Sequence, residues 1–118
     1  MGNKKITFIK HHLCHAASSF YVSGFNDSLI VVLDGMGEEM TGAIYLGKGE
    51  KIKVLKKFFL PNTLGGYYST FTDFFGFKAL SEEGKLMALA AYGKYSKKIQ
   101  KKLNKFLSYD EKGNFSLN

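Results

Sequence analysis

The sequence predicts an α/β fold in which one helix, an antiparallel three-stranded meander and a group of helices follow one another. Three observations carry this. The apolar run Leu29-Ile30-Val31-Val32-Leu33 is short, mostly β-branched and flanked by turn residues, the pattern of a buried strand. Two further strand-like stretches follow across glycine-bearing turns. Beyond Pro61, the only proline, the pattern changes to helical segments with capping residues at Asn62-Thr63, Ser81 and Ser96. At 118 residues, a single domain over 1–118 accounts for the chain.

In chain order, residues 4–10 read as a short strand through Ile6 and Phe8. A helix over 11–21 follows, packing through Leu13, Ala16, Ala17 and Phe20. Ser23-Gly24-Phe25-Asn26-Asp27 is turn chemistry. The meander occupies 28–59: strands at 28–33, 41–46 and 51–59, with hairpins at 34–38 and 47–50. Its third strand directs Ile52, Val54 and Leu55 toward a core. Helices then fill 64–108. The first, 64–75, carries Tyr67, Tyr68, Phe71, Phe74 and Phe75 at spacings that read as core, and Gly76 stops it. The second starts at Ser81, has Glu82 and Glu83 where the helix dipole favours acids, runs through Leu86, Met87 and Leu89 to Tyr92, and ends at Gly93. The third runs from Ser96 to about Ser108, with an apolar stripe of Ile99, Leu103, Phe106 and Leu107 and a solvated lysine face. The tail holds a turn and a short strand at Phe115 and Leu117.

The net charge is +7 and all 17 basic residues are lysine. Seven of those lysines lie between Gly93 and Asn118 against Asp110 and Glu111, so that segment carries +5 of the +7. Arginine, the residue suited to bidentate phosphate and base contacts, is missing, which argues against nucleic acid as a partner. No apolar stretch reaches bilayer-spanning length, so no membrane role is expected. One cysteine precludes an internal disulfide and fits a cytoplasmic setting.

The chemistry centres on His11-His12-Leu13-Cys14-His15, which holds all three histidines. His11 and His15 stand about 40° apart on a helix face and can converge on one ion, whereas His12 points about 100° away. Asp34 closes the apolar strand 19 residues after His15 and is followed at once by glycine. Two imidazoles and one carboxylate make an incomplete shell that suits a catalytic ion with open positions. An i, i+4 histidine pair also arises as a surface accident, and Asp-Gly often marks a turn alone. Gly35 and Gly37 flank Met36 in the hairpin, so its backbone amides can form an anion cradle, with Asp34 and Glu38 at its two ends. In Glu82-Glu83-Gly84-Lys85, a glycine in a helical first turn reads either as close packing or as the approach of a nucleotide, with Lys85 as counter-charge.

These residues resemble the carbamoyltransferases of the nodulation-factor and antibiotic-tailoring type. The resemblance rests on His11-His12-X-X-His15-Ala16, Ser23-Gly24-Phe25, Asp34-Gly35-X-Gly37-Glu38, Leu64-Gly65 with Tyr67, and Glu83-Gly84-Lys85-X-Met87-X-Leu89-Ala90-X-Tyr92-Gly93. Their order and spacing agree over about residues 10–93, and the tail from Lys94 carries no signature. The resemblance implies part of an actin, sugar-kinase and Hsp70-like (ASKHA) fold, similar to hydrogenase-maturation and tRNA-threonylcarbamoylating enzymes. There a five-stranded subdomain occurs twice, and residues 28–59 correspond to the opening meander of the second copy.

It also implies that His11, His15 and Asp34 are metal ligands, with iron as the metal. Gly35, Met36, Gly37 and Glu38, with Glu83, Gly84 and Lys85, would contact nucleotide, and His12 is a candidate base. The implied reaction, supplied by ATP and carbamoyl phosphate, moves a carbamoyl group from carbamoyl-adenylate to the hydroxyl of a small molecule. A further aspartate ligand, the first fold copy and a YrdC-like domain lack counterparts in this sequence. The chain therefore reads as a fragment, inactive alone, with apolar side chains left bare and a tendency to self-associate. Cys14 stands where the family has a small residue; at about 60° from His11 on the helix it either reaches the ion as a thiolate or packs, and packing is the expectation. Ala88 and Ala91 stand where the family often has glycine and proline. Two other classes remain open: a non-catalytic metal- or nucleotide-binding module, and a basic interaction domain using the lysine helix.

Overall fold

Helix α1 (His11–Phe20) and the three-stranded antiparallel sheet that it covers form the organised centre of the molecule. The computed structural model describes residues 4–118. The sheet comprises β1 (Asp27–Gly37), β2 (Met40–Lys48) and β3 (Lys51–Phe59) in the order β1-β2-β3. This is the expected helix followed by a meander. Residues 4–10 are not a strand: they are exposed, and Phe8 is 93% exposed, because no sheet edge among the described residues pairs with them.

Register explains which side chains enter the core. Ile30 pairs with Tyr45 and Val32 with Ala43, so these four share the sheet face under α1. From the helix, His12, Ala16 and Phe20 come down at i, i+4 and i+8. Ala16, Phe20, Ile30, Val32, Ala43 and Tyr45 form the core, flanked by Leu13 and Ile52. Val54 and Leu55, expected in the core, are 41% and 53% exposed. A bulge is the reason: Tyr45 pairs with Val54 but Ile44 with Lys56, leaving Leu55 unmatched, and α1 does not reach that far across the sheet.

Three helices follow: α2 (Leu64–Phe74), α3 (Glu83–Ala90) and α4 (Lys97–Leu103). A small hairpin of β4 (Leu107–Tyr109) and β5 (Phe115–Leu117) then closes the chain. Helix α2 reverses the expected amphipathicity. It buries Ser69 and Thr72, while Phe74 and Phe75 are 78% and 56% exposed. Gly65, Ser69 and Thr72 recur at i, i+4 and i+7, and this small-residue face lets the helix press on the β1 backbone. The aromatic face instead lines an apolar groove of about 660 Å³ with Phe106 and Leu117.

Helix α3 begins one residue later than Ser81 would place it, with Glu82 at the cap, and buries Leu86 while Met87 and Leu89 stay exposed. Ser96 caps α4 as expected, but the helix stops at Leu103, since the next turn feeds β4. The molecule is open. Its radius of gyration is 17.4 Å, against about 13.5 Å for a compact domain of this length. Its accessible surface is 9503 Å², against about 6,400 Å² for a compact chain of this mass.

Candidate metal centre

The site lies where the start of α1 faces the end of β1. His12, Ala16 and Phe20 fix the rotation of α1, so His11 and His15 lie at the helix edge, one residue around from the buried stripe. Asp34 is brought to them by a bulge. Leu33 pairs with Gly42 and Gly37 with Met40, so Asp34, Gly35 and Met36 lie opposite Thr41 alone. The segment predicted as a hairpin over 34–38 is therefore mostly strand, and the turn sits at Glu38-Glu39 with Glu38 at φ 58°.

His11 Nε2 lies 2.6 Å from Asp34 Oδ2 and 3.0 Å from His15 Nε2, and His15 Nε2 lies 3.5 Å from the same Asp34 oxygen. The three ligand atoms fall within 4.8 Å of one another. Two donors at right angles on bonds of about 2.1 Å stand about 3.0 Å apart, so this triangle fits one face of an octahedral ion. The donor set fits too, since two imidazoles and a carboxylate suit a divalent first-row metal. The side chains of His11 and His15 are 44% and 52% exposed, which leaves the opposite face of such an ion open.

The carboxylate is held firmly. Asp34 Oδ1 accepts from the Gly35 amide at 2.7 Å, which fixes Oδ2 toward the histidines. Burial works to raise the Asp34 pKa, but the His11 hydrogen bond, the Gly35 amide and the ring charges of His11 and His15 outweigh it and hold the group below its ordinary value.

His12 is fully buried, and neither ring nitrogen has a hydrogen-bond partner. Burial, followed by the charge of His11, lowers its pKa against the opposing pull of Asp34. In this structure the ring is enclosed between α1 and the sheet and reaches no surface. Cys14 does not pack as expected: α1 turns it outward, and its thiol is exposed.

The two hairpin glycines have different reasons. A Cβ on Gly37 would stand 2.2 Å from His11 Cδ2 and 3.0 Å from His12 Cε1, so this glycine admits the histidines of α1. Gly35 has nothing within 4 Å of its Cβ position and is the open one, although its amide is already used by Asp34. Met36 and Glu38 are exposed, and Gly37 is buried.

A second recess, lined by Asp34, Gly35, Gly65, Tyr68, Ser69, Leu80 and Glu83, opens on the other side of the bulge. Of the acidic helix motif, Glu83 lines this recess; Gly84 and Lys85 do not. Glu83 Oε1 accepts from Ser69 Oγ and from the Leu80 amide, both at 2.6 Å, and Glu82 Oε2 accepts from the Lys78 amide at 2.8 Å. Lys85 pairs with Glu82. The Ser69 hydrogen bond is the main cause holding Glu83 below the ordinary glutamate value of 4.5. Because the folded value is depressed, its contribution is present above 4.5 and is lost as pH falls through the folded value. Acidification through the depressed folded value should therefore loosen the Leu80 amide; a Leu80 protection factor, taken against the intrinsic exchange rate at each pH, that stays constant through the acid range would contradict this.

The sequence profile described as Carbamoyltransferase N-terminus matches residues 1–118. The chain belongs to this family. Among relatives, it is 38% identical over 113 residues to the Uncharacterized protein sll1178 of Synechocystis, covering 96% of this chain and 18% of that protein. It is 39% identical over 89 residues to Nodulation protein NolNO of Sinorhizobium fredii, covering 75% of this chain and 13% of that one. Nodulation protein NolO of Bradyrhizobium diazoefficiens is 38% identical over 85 residues, 72% of this chain and 15% of its own length. The chain thus spans less than a fifth of these relatives.

Family membership agrees with the resemblance read from the five motifs. Sequence reasoning gave no role to Thr63 or to Gly65 beyond capping and motif matching. Thr63 caps α2 through Gly66 and also donates to the Gly35 carbonyl at 2.5 Å. The signal available was Gly65-Gly66 itself, a costly pair in a helical first turn.

Proposed function

We propose that this chain is the N-terminal part of an O-carbamoyltransferase in which His11, His15 and Asp34 hold a divalent metal, iron by the family resemblance. The donor would be carbamoyl-adenylate formed from ATP and carbamoyl phosphate, and the acceptor a hydroxyl on a small molecule. The observation that carries this reading is the convergence of three ligand atoms within 4.8 Å in a chain matched over its whole length by a carbamoyltransferase family.

Each residue has a task in this reading. His11 and His15 would supply neutral nitrogens from one helix face, and Asp34 the one anionic oxygen. When bound, the metal supplies Lewis acidity toward a carbonyl or phosphoryl oxygen. The Gly35 amide holds the carboxylate in place, and the open space over Gly35 leaves room for a phosphate beside exposed Met36. The half-exposed histidines require cover from the rest of the polypeptide before a reactive carbamoyl-adenylate is shielded from water. A YrdC-like domain would make that intermediate. An ASKHA arrangement of the assembled protein, with β1 to β3 opening a fold copy, is part of the same proposal.

Metal titration tests the site. The chain should bind one equivalent of Co(II), used as a spectroscopic probe, and His11→Ala, His15→Ala or Asp34→Ala should each weaken binding by more than about a hundredfold, beyond the usual effect of changing outer-shell residues. Equal binding by all three variants would overturn the ligand assignment. Turnover of carbamoyl-adenylate with a hydroxyl acceptor by the full-length protein, and none by the 118-residue chain, is the expected result for the function. No transfer by the full-length protein would shift the reading to a metal-binding module.

A further inference from the structure

We infer that the first turn of α2, through Thr63 and Gly65, is the positioning element for the carboxylate of Asp34. This rests on the metal reading above but concerns residues outside the proposed ligand set of His11, His15 and Asp34. A β-bulge is locally loose, because its extra residues lack ladder partners. Asp34 and Gly35 lie in such a bulge, opposite Thr41 alone, so the ladder cannot fix the peptide that joins them.

Helix α2 does. The Thr63 hydroxyl donates to the Gly35 carbonyl at 2.5 Å and leans on the Asp34 carbonyl at 3.2 Å, while accepting from the Gly66 amide at 3.0 Å. From the same turn, the Gly65 Cα faces the peptide so closely that a Cβ would stand 2.4 Å from Gly35 N and 2.5 Å from Asp34 C. Contact with rigid backbone cannot be relieved by a side-chain rotation. The Gly35 carbonyl, on the peptide that follows, is tied by Thr63, and the Asp34–Gly35 peptide plane itself is backed by Gly65 and touched at its carbonyl by the Thr63 hydroxyl. The Gly35 amide, whose direction that plane sets, is the donor that orients Asp34 Oδ1. Small errors in a ligand's orientation are costly, since outer-shell changes commonly weaken metal binding ten- to a hundredfold.

The test uses the full chain with three substitutions. Gly65→Ala pushes on the peptide. Thr63→Asp keeps an acceptor for the helix cap but removes the donor to Gly35. Thr63→Ser keeps both. Two readouts are taken: Co(II) affinity with its d–d absorption bands, and, without metal, the ¹⁵N–¹H signal of the His11 Nε2 hydrogen that bonds Asp34. Gly65→Ala and Thr63→Asp should lower Co(II) affinity about ten- to a hundredfold and change the d–d bands. Both should weaken the His11 signal, and Thr63→Ser should restore wild-type behaviour on each readout. If Gly65→Ala fails to fold by circular dichroism, the Thr63 pair decides. Wild-type affinity and an unchanged His11 signal in Thr63→Asp would overturn the inference. A wild-type chain that binds no Co(II) would defeat the metal reading, and the His11 signal would still decide whether α2 sets Asp34.

Discussion

Gly37→Ala should undock α1 from the sheet and abolish metal uptake together. The added methyl would stand 2.2 Å from His11 Cδ2 and 2.7 Å from His11 Cγ, with His12 Cε1 at 3.0 Å. Neither ring can yield cheaply. His11 is tied to Asp34 and His15, and His12 is fully enclosed. Overpacking of a tight contact costs about 1–3 kcal/mol, a large share of the roughly 5–15 kcal/mol that holds an ordinary domain together. Thermal unfolding followed by circular dichroism should show a lower and broader transition, and Co(II) titration should lose its saturable phase. A melting curve and a titration matching the parent would show that α1 does not approach β1 as closely as this.

Phe20→Ala should unfold the chain more completely. Phe20 is 4% exposed and is the largest apolar side chain that α1 sends into the core. Its ring occupies the space over Gly47, where a Cβ would stand 2.5 Å from Cε2. Removing a buried phenylalanine costs about 3–5 kcal/mol, and an open molecule with one small core has little to replace it. The fit can be checked from both sides. Gly47→Ala should destabilise the parent, and the same change should cost less beside Phe20→Leu, where the facing ring is gone. Strictly additive effects in denaturant unfolding would count against the contact.

The parts of the fold legible in the sequence were those set by local pattern. The apolar run 29–33, the turn after Lys48 and the Ser96 cap each act through neighbours in the chain, and each lies where pattern places it, whereas the first turn moves from the glycines to Glu38-Glu39. The spacing of His11 and His15 was equally local, so their shared face was readable; Asp34 entered through the strand end. What escaped was long-range. The aromatics of α2 read as core by periodicity, but a contact between Gly65 and the bulge turned that helix around. Val54 alternates correctly with Ile52, yet the limited reach of α1 leaves it exposed, and Leu55, its immediate neighbour, falls in a bulge. Gly37 was read as a ligand-facing glycine, and it serves the histidines instead, a fact that only the docking of α1 on β1 reveals.

The triangle of His11, His15 and Asp34 has a consequence in hydrogen counting. One nitrogen, His11 Nε2, faces both the carboxylate at 2.6 Å and His15 Nε2 at 3.0 Å. An imidazole nitrogen carries either one hydrogen or one lone pair, so a single N–H on His11, shared between two acceptors, satisfies both contacts. That hydrogen sits where a cation would sit. For a cation to take that place, the hydrogen must pass to the Nδ1 side of the neutral ring, so filling the site switches the tautomer of His11. In protein labelled with ¹⁵N in its histidines, filling the site would then move the His11 hydrogen signal from Nε2 to Nδ1.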